Sequence, residues 1–258
     1  MREKTKYKLI SVLSLVVFFL VWELITDVLH LMPKYVLPSP LKIIEVFVKK
    51  LSSKSPDGST LLVHAMSSLQ ISMVAFLSAA VIGIPVGILM AWYKSIDRLV
   101  KPLFDMFRPI PPIGWIPIMI LFLGIGLWAK VAVIFVGAFI PCVINSYTGI
   151  KQANPVHLWV GRTFGATRRQ LLFTIAIPTA MPVIFTGLKV SLGISWMTLV
   201  AAELLASTKG LGYMIQVSRT IGRSDIIVMG MLVIGVVGLG LSALLDLIEN
   251  KFVKGRNQ

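Results

Sequence analysis

Six runs of roughly 20 apolar residues recur along this chain, and that recurrence constrains its fold more than any other feature. A hydrocarbon core about 30 Å thick is crossed by a helix of about 20 residues. Only helices or closed barrels satisfy their backbone polar groups inside it. The runs fall at about 9–31, 66–93, 110–127, 131–150, 179–206 and 226–248, the third short and interrupted by proline. Charged residues make up 14% of the 258, too few to coat a soluble surface. The expected fold is all-α: one polytopic membrane domain over 1–258 with six transmembrane helices. A soluble enzyme, a disordered tail and a fibrous repeat are excluded.

Arg2, Lys4, Lys6 and Lys8 precede the first run as in a signal peptide. The apolar stretch is long, however, and no small-x-small cleavage site follows, so it reads as a retained anchor. With the N-terminus inside, the inner segments carry 15 Lys and Arg residues and the outer segments nine. Cytoplasmic loops are enriched in these residues, so both termini are expected in the cytoplasm. A net charge of +14 would suggest a nucleic-acid partner in a soluble protein. Here the cations sit in short segments between apolar runs, and no nucleic acid is expected.

The first outer segment, 32–65, has internal order. LPSP at 37–40 reads as a turn followed by a helix start. Leu41, Ile44, Val48 and Leu51 then share one helical face, while Lys42, Glu45, Lys49 and Lys50 fall elsewhere. This predicts a short amphipathic helix at the outer surface. SSKSPDGS at 52–59 is expected to be a flexible link. Segments 32–65 and 206–225 together carry Lys34, Lys42, Lys49, Lys50, Lys54, Lys209, Arg219 and Arg223 against Glu45, Asp57 and Asp225. Such a field attracts anions over a Debye length of about 8 Å. It equally suits docking of an acidic protein or contact with lipid headgroups.

Several chemistries are missing. No Gly-Lys pair occurs, so the chain has no P-loop for nucleotide phosphates. Cys142 is the single cysteine, which excludes internal disulfides and cysteine-based metal sites. His30, His64 and His157 lie far apart and read as interfacial or loop histidines, not ligands. KPLFDMFRP at 101–109 resembles the opening signature of membrane lipid phosphatases. No histidine follows position 157 to act as nucleophile or acid, so the match reads as chance. No catalytic residue and no metal site are expected.

The segment between the fourth and fifth runs, 153–182, reads ANPVHLWVGRTFGATRRQLLFTIAIPTAMP. Pro155 suits the first position of a helix. That helix runs to Phe164, where Gly165 breaks it by adopting a positive φ. A second helix over 166–176 starts at Arg168 and Arg169 and packs through Leu171, Leu172 and Ile175. Pro178 and Pro182 then mark the start of the fifth run. A cytoplasmic helix–glycine–helix of this kind is an exposed knob able to fit a cleft in a partner.

This spacing resembles the inner-loop signature of the permease subunits of binding-protein-dependent ABC importers: Glu-Ala-Ala, a glycine, nine residues, then I-x-L-P. Gly165 is the glycine, 166–174 are the nine, and IAIP at 175–178 closes the motif with Ile177 in place of leucine. Trp159, Val160 and Gly161 stand where Glu-Ala-Ala would. Around it lie VWEL at 21–24, LPSP at 37–40, RPIPPIGWIPI at 108–118 and LFLGIG at 121–126. RTFGA at 162–166, LVAAELLAS at 199–207 and GLGY at 210–213 follow. Together, over most of the chain, they resemble the nitrate/sulfonate/taurine/bicarbonate importer permeases.

The resemblance implies a type I importer permease fold, with two copies forming a pore in the bacterial cytoplasmic (inner) membrane. It implies a coupling segment over 153–178 in which Pro155, Trp159, Arg162, Thr163, Gly165, Arg168 and Pro178 serve contact with two separate ABC ATPase subunits. Those subunits would hold ATP and Mg; this chain would carry no cofactor and hydrolyse nothing. An extracellular or periplasmic binding protein would deliver a small anion such as a sulfonate, taurine, nitrate or bicarbonate. A vitamin or thiamine-precursor solute is the alternative within the same role. A secondary transporter is the rival outside it, but predicts inverted repeats, and none is evident.

Polar residues within the runs are the pathway candidates. Ser191, Ser195 and Thr198, spaced four and three apart, share one helical face. Asn145 and Ser146 lie on the fourth run. Such residues equally serve hydrogen bonding between helices. Glu203 either lines the pathway or is an interfacial carboxylate bonded to the nearby TKGLGY loop. Lys189 either lines an inner vestibule or snorkels to lipid phosphate, the second preferred. Glu23 and Asp27, one turn apart, read as packing or interface anchors. The irregular backbone around Pro109, Pro111, Pro112 and Pro117 is expected beside the pathway.

Overall fold

Backbone polar groups in an apolar stretch must be paired within the chain, and helices do this locally. The computed structural model describes residues 2–33, 35–205 and 207–252; Lys34, Ala206, Lys254 and Arg256, used in the charge and span readings above, lie outside them. Among the described residues every regular element is helical and no strand occurs. The first α-helices are α1 (Arg2–Glu23), α2 (Pro40–Ser52), α3 (Leu61–Trp92), α4 (Lys94–Phe107), α5 (Ile116–Leu123) and α6 (Leu127–Lys151). They are followed by α7 (Pro155–Thr163), α8 (Arg168–Leu171), α9 (Ile177–Leu205), α10 (Leu211–Thr220) and α11 (Ser224–Phe252).

Four stretches are long and apolar enough to cross a membrane: α3, α6, α11 and the continuous run Arg168–Leu204. They correspond to the second, fourth, sixth and fifth expected spans. The fifth begins earlier than its proline pattern suggests. α8 passes through a π-helical turn, Leu172–Ala176, directly into α9, so Pro178 sits in helix and marks no boundary. The wider turn falls just ahead of Pro178, whose ring would otherwise meet the carbonyl four residues back. The expected separate helix over 166–176 is therefore the first part of this span.

The third expected span, 110–127, is not one spanning helix. It holds a 3-10 turn, Pro112–Trp115, and the eight-residue α5, about 12 Å long. α4 and the run Pro112–Leu123 form a pair bent by 88°. Pro109, Pro111 and Pro112 remove the donors that would carry one helix into the next. α4 itself occupies a stretch expected to be loop. The first expected span begins as α1 and ends in a π turn, Leu24–Val28, with the apolar side chains from Val12 to Val21 exposed along it.

The chain divides into two compact units, residues 1–66 with 209–235 and residues 67–208 with 236–258. In the second, glycines set the spacing between helices. A Cβ on Gly87 of α3 would stand 2.4 Å from the Val143 carbonyl oxygen, and one on Gly187 of α9 would stand 2.5 Å from Asn145 Cβ. Both helices therefore approach α6 closely, as small residues permit. Ala91, Ile150, Leu172, Ala176 and Ile184 pack into the core beside these contacts.

In the first unit, Ser39 caps α2 and Pro40 takes its first position, as LPSP predicts. Leu41, Ile44, Val48 and Leu51 form an exposed apolar stripe, while Ile43, Val46 and Lys50 are buried. The stretch 52–59 is not a flexible link. Lys50 Nζ donates to Asp57 Oδ1 at 2.6 Å and to the carbonyls of Ser55 at 3.0 Å and Ser59 at 2.9 Å. All three ammonium protons find acceptors, the condition for burying that charge.

Candidate functional site

The segment between α6 and α9 is built from three local signals. Asn154 Oδ1 accepts from the Val156 N–H at 2.9 Å, and Pro155 opens α7. At the other end, the Ala166 N–H donates to the Gly161 carbonyl at 3.0 Å and the Gly165 N–H to the Arg162 carbonyl at 2.9 Å. This is a Schellman closure, and it requires the left-handed φ of +80° found at Gly165. Thr167 and Gln170 then form a reciprocal capping box that restarts the chain as α8.

Packing fixes the orientation of α7. A Cβ on Gly161 would lie 2.5 Å from Leu171 Cδ2, so α7 rests on the start of the following span. None of its residues is buried. Trp159 is 63% exposed and Phe164 86% exposed, with Val156 and Val160 also open to solvent. Arg162 is exposed on the same short helix, and the Thr163 hydroxyl donates to the Trp159 carbonyl at 3.1 Å. The result is an apolar and cationic projection with large aromatic side chains at its surface. Pro178 is exposed within α9 and lies away from this projection in sequence.

The pathway candidates lie inside the second unit. Ser191, Ser195, Thr198 and Glu203 are buried. Ser191 Oγ donates to the Ala138 carbonyl of α6 at 2.8 Å, and Ser195 Oγ to the Ser191 carbonyl at 2.9 Å. Asn145 Nδ2 donates to the Pro141 carbonyl at 2.9 Å. The Ser68 hydroxyl stands 2.7 and 2.9 Å from the two Glu203 carboxylate oxygens. These polar atoms are engaged between or along packed helices, the arrangement expected when low-dielectric surroundings make an unpaired polar group costly.

Charged partners that the sequence hid are also evident. Lys189 does not simply snorkel: it pairs with Asp246 and, at 2.5 Å, with Glu249 on α11. The spacing of three between those acids was a usable signal. Glu23 Oε2 accepts from the Leu41 N–H at 3.4 Å. His64 is fully buried, with Nε2 3.1 Å from Asp57 Oδ1 and Nδ1 accepting from the Gly210 N–H at 3.0 Å. Burial works to raise the Asp57 carboxyl, but hydrogen bonds from Lys50, His64 and the Ser59 N–H outweigh it and hold the group below its ordinary range. Among the described residues, no group of three or more His, Cys, Asp and Glu side chains is placed to hold a metal.

The chain has clear relatives. The family model described as "Binding-protein-dependent transport system inner membrane component" matches residues 83–257. The chain is 35% identical to the taurine transport system permease protein TauC of Escherichia coli (strain K12), over 91% of this chain and 86% of that protein. It is 34% identical to the nitrate import permease protein NrtB of Synechocystis sp., over 84% of this chain and 80% of that one. It is 31% identical to the putative aliphatic sulfonates transport permease protein SsuC of Bacillus subtilis (strain 168), over 93% and 85%. Its fold is similar to a chain of the MetNI methionine ABC transporter in an inward-facing conformation. The TM-score is 0.64 at 21% identity, covering 74% of this chain and 95% of that one.

Proposed function

The chain belongs to the family of binding-protein-dependent transport system inner membrane components, and from that premise we propose that it forms one half of a homodimeric importer pore driven by two separate ABC ATPase subunits. The observation that carries this reading is α7. An apolar surface that includes Trp159 and Phe164, exposed in the single chain, needs a partner to leave water. Pro155, Trp159, Arg162, Thr163, Gly165 and Arg168 build or present it. ATP and Mg are held by the ATPase partners, whose closure pushes the two copies of α7 together. Pro178 serves indirectly, by seating the π turn ahead of α9.

The solute is a small oxyanion. TauC is named for taurine, SsuC for aliphatic sulfonates and NrtB for nitrate, and the outer segments of this chain are cationic. A binding protein hands the solute to those segments. The chain spans the bacterial cytoplasmic membrane with both termini inside. Asn145, Ser191, Ser195, Thr198 and Glu203 form a polar seam that holds α6, α9 and their neighbours in register behind the pathway wall.

The test is a cysteine placed at Arg162 in the assembled transporter. It should crosslink to the ATPase subunit, and Trp159→Asp should prevent the two from co-purifying. Absence of a crosslink along 157–164, with normal uptake by Trp159→Asp, would contradict the docking role. With its binding protein, the reconstituted transporter should show ATPase stimulation by a sulfonate, taurine, nitrate or bicarbonate. Stimulation only by a neutral thiamine precursor would overturn the anion assignment and leave the docking role standing.

A further inference from the structure

A cavity of about 230 Å³ lies in the second unit between α4 and α6. Lys101, Phe104, Asp105 and Arg108 line one side of it, spaced so that they share one face of α4 and its C-terminal cap. Leu99, Leu103 and Met106 fall on the opposite face and are exposed. In a soluble protein an amphipathic helix turns its apolar stripe toward the core. α4 is the reverse, an arrangement that suits a surrounding bilayer. Its charged face is then turned toward the protein, where charges need partners.

Those partners are missing from the chain. Among the described residues, neither Lys101 nor Arg108 forms an ion pair, and Asp105 between them has none either. Lys101 Nζ lies 5.9 Å from the centre of the Tyr147 ring, and Lys151 Nζ lies 5.4 Å from the same centre. The Tyr147 hydroxyl donates to Asp97 Oδ2 at 3.3 Å, which fixes the ring in the cavity wall. Two ammonium groups drawn to one ring repel each other, and an anion beside them offsets that cost. Along α6 the wall changes from Thr148 and Tyr147 to Ile144 and Val143, one turn further from the helix end. The surface is therefore polar near the end of a span and apolar within it, as a phospholipid is from headgroup to chains.

We propose that this cavity binds the headgroup of an anionic phospholipid whose phosphodiester faces Lys101 and Arg108 and whose headgroup hydroxyls donate to Asp105. Two cations and one carboxylate give the wall one net positive charge. A phosphodiester monoanion neutralises it, and a zwitterionic headgroup does not. The hydroxyls supply Asp105 with the donors it lacks. A phosphoglycerol headgroup carries both features. Free glycerol phosphate shares this chemistry, but Ile144 and Val143 offer an apolar wall that only a lipid's chains use, which favours the lipid. The site goes beyond the importer role and its occupancy does not depend on it.

The test uses the delipidated full chain in detergent. Native mass spectrometry compares phosphatidylglycerol, phosphatidylethanolamine and phosphatidylmethanol with identical acyl chains, and calorimetry measures glycerol 3-phosphate. Phosphatidylglycerol should bind about tenfold tighter than phosphatidylethanolamine, and Lys101→Ala and Arg108→Ala should each remove that preference, since each deletes a charge-assisted contact. Phosphatidylmethanol, with the same charge and no hydroxyl, should bind less tightly than phosphatidylglycerol, and Asp105→Ala should erase that difference. Lys94→Ala removes a cation of α4 outside the cavity and should change neither. All four positions are exposed, so the variants should fold, which an unchanged elution profile checks. Glycerol 3-phosphate binding that is lost in Lys101→Ala and Arg108→Ala, without a lipid preference, would support the site and identify a soluble phosphate ester as its occupant. Equal binding of the three lipids with no binding of glycerol 3-phosphate would overturn the proposal. So would a phosphatidylglycerol preference that survives both substitutions or that falls equally in Lys94→Ala.

Discussion

The guanidinium of Arg168 donates to the carbonyl of Trp92 at 2.7 Å across 76 residues of sequence, and its carbon lies 5.0 Å from the centre of the Tyr93 ring. Trp92 ends α3, so its carbonyl is one of the four that a helix C-terminus leaves without a backbone partner. A cation is also favoured there by the helix dipole. The turn after α7 is thereby fastened to the end of α3.

Arg168→Ala should loosen this fastening without touching the exposed face of α7. In proteoliposomes, ATP hydrolysis should continue while uptake falls about tenfold, the scale of one charge-assisted hydrogen bond. Arg168→Lys keeps a donor and loses the flat contact with Tyr93, and should lie between the two. Equal loss of hydrolysis and uptake in Arg168→Ala would point to failed docking instead.

Gly165→Val should separate folding from coupling in a different way. No atom lies within 4 Å of an added Cβ, so the cost is backbone strain at φ +80°, about 1–2 kcal/mol and more for a β-branched residue. Membrane yield should stay near wild type while uptake is lost. Gly165→Asn should recover much of it, because asparagine tolerates this conformation. Uptake normalised to inserted protein is the readout.

Asp57→Asn should open the 53–60 stretch. It leaves the Lys50 ammonium buried without its counter-charge, a loss of about 3–5 kcal/mol. The pH dependence follows from the lowered carboxyl. Its contribution is fully present above the ordinary carboxyl value of about 3.9 and is lost as pH falls through the lower folded value. Hydrogen exchange at the Gly210 amide, which donates to His64, should therefore stay slow in wild type until pH drops below about 4. In Asp57→Asn it should be fast at neutral pH. Slow exchange in that variant would show that the Lys50–Asp57–His64 contacts do not hold this stretch closed.

Gly87→Ala should destabilise the second unit, because its Cβ would meet a backbone oxygen at 2.4 Å and α3 must shift. The expected cost is about 1–3 kcal/mol, read as a lowered unfolding temperature in detergent. Gly193→Ala, where an added Cβ meets nothing within 4 Å, is the matched control and should not lower it. Equal behaviour of the two would refute close packing at Gly87.

Reporter fusions after Asn154 should read cytoplasmic and fusions near Ser55 external, as the 15-to-9 distribution of cations implies. The reverse at both sites would invert the whole assignment of faces.

What the sequence made legible was local. Ser39 and Pro40, Asn154 and Pro155, and Gly165 act within a turn of their own position, so their roles can be read from spacing alone. The apolar runs behind α3, α6 and α11 are equally direct. α4 was missed because its charges read as loop, although Leu99, Leu103 and Met106 share one face. The π turn at Leu172–Ala176 defeated the proline rule at Pro178, since the ladder can widen to admit the ring. Lys50, Asp57 and His64 gave no signal, because their meeting depends on how a loop folds back. The partners of Arg168 and Ser68 lie 76 and 135 residues away, beyond the reach of any periodicity.

The glycine contacts of α3, α6 and α9 have a mechanical consequence. Side chains between helices act as a compliant layer; where carbonyl meets glycine, that layer is missing and the three helices form a stiff block. A stiff block works as a lever. If a partner docks on α7, as proposed, a force applied there would enter this block at Leu171, on which α7 rests, and would be carried along it with little local rearrangement.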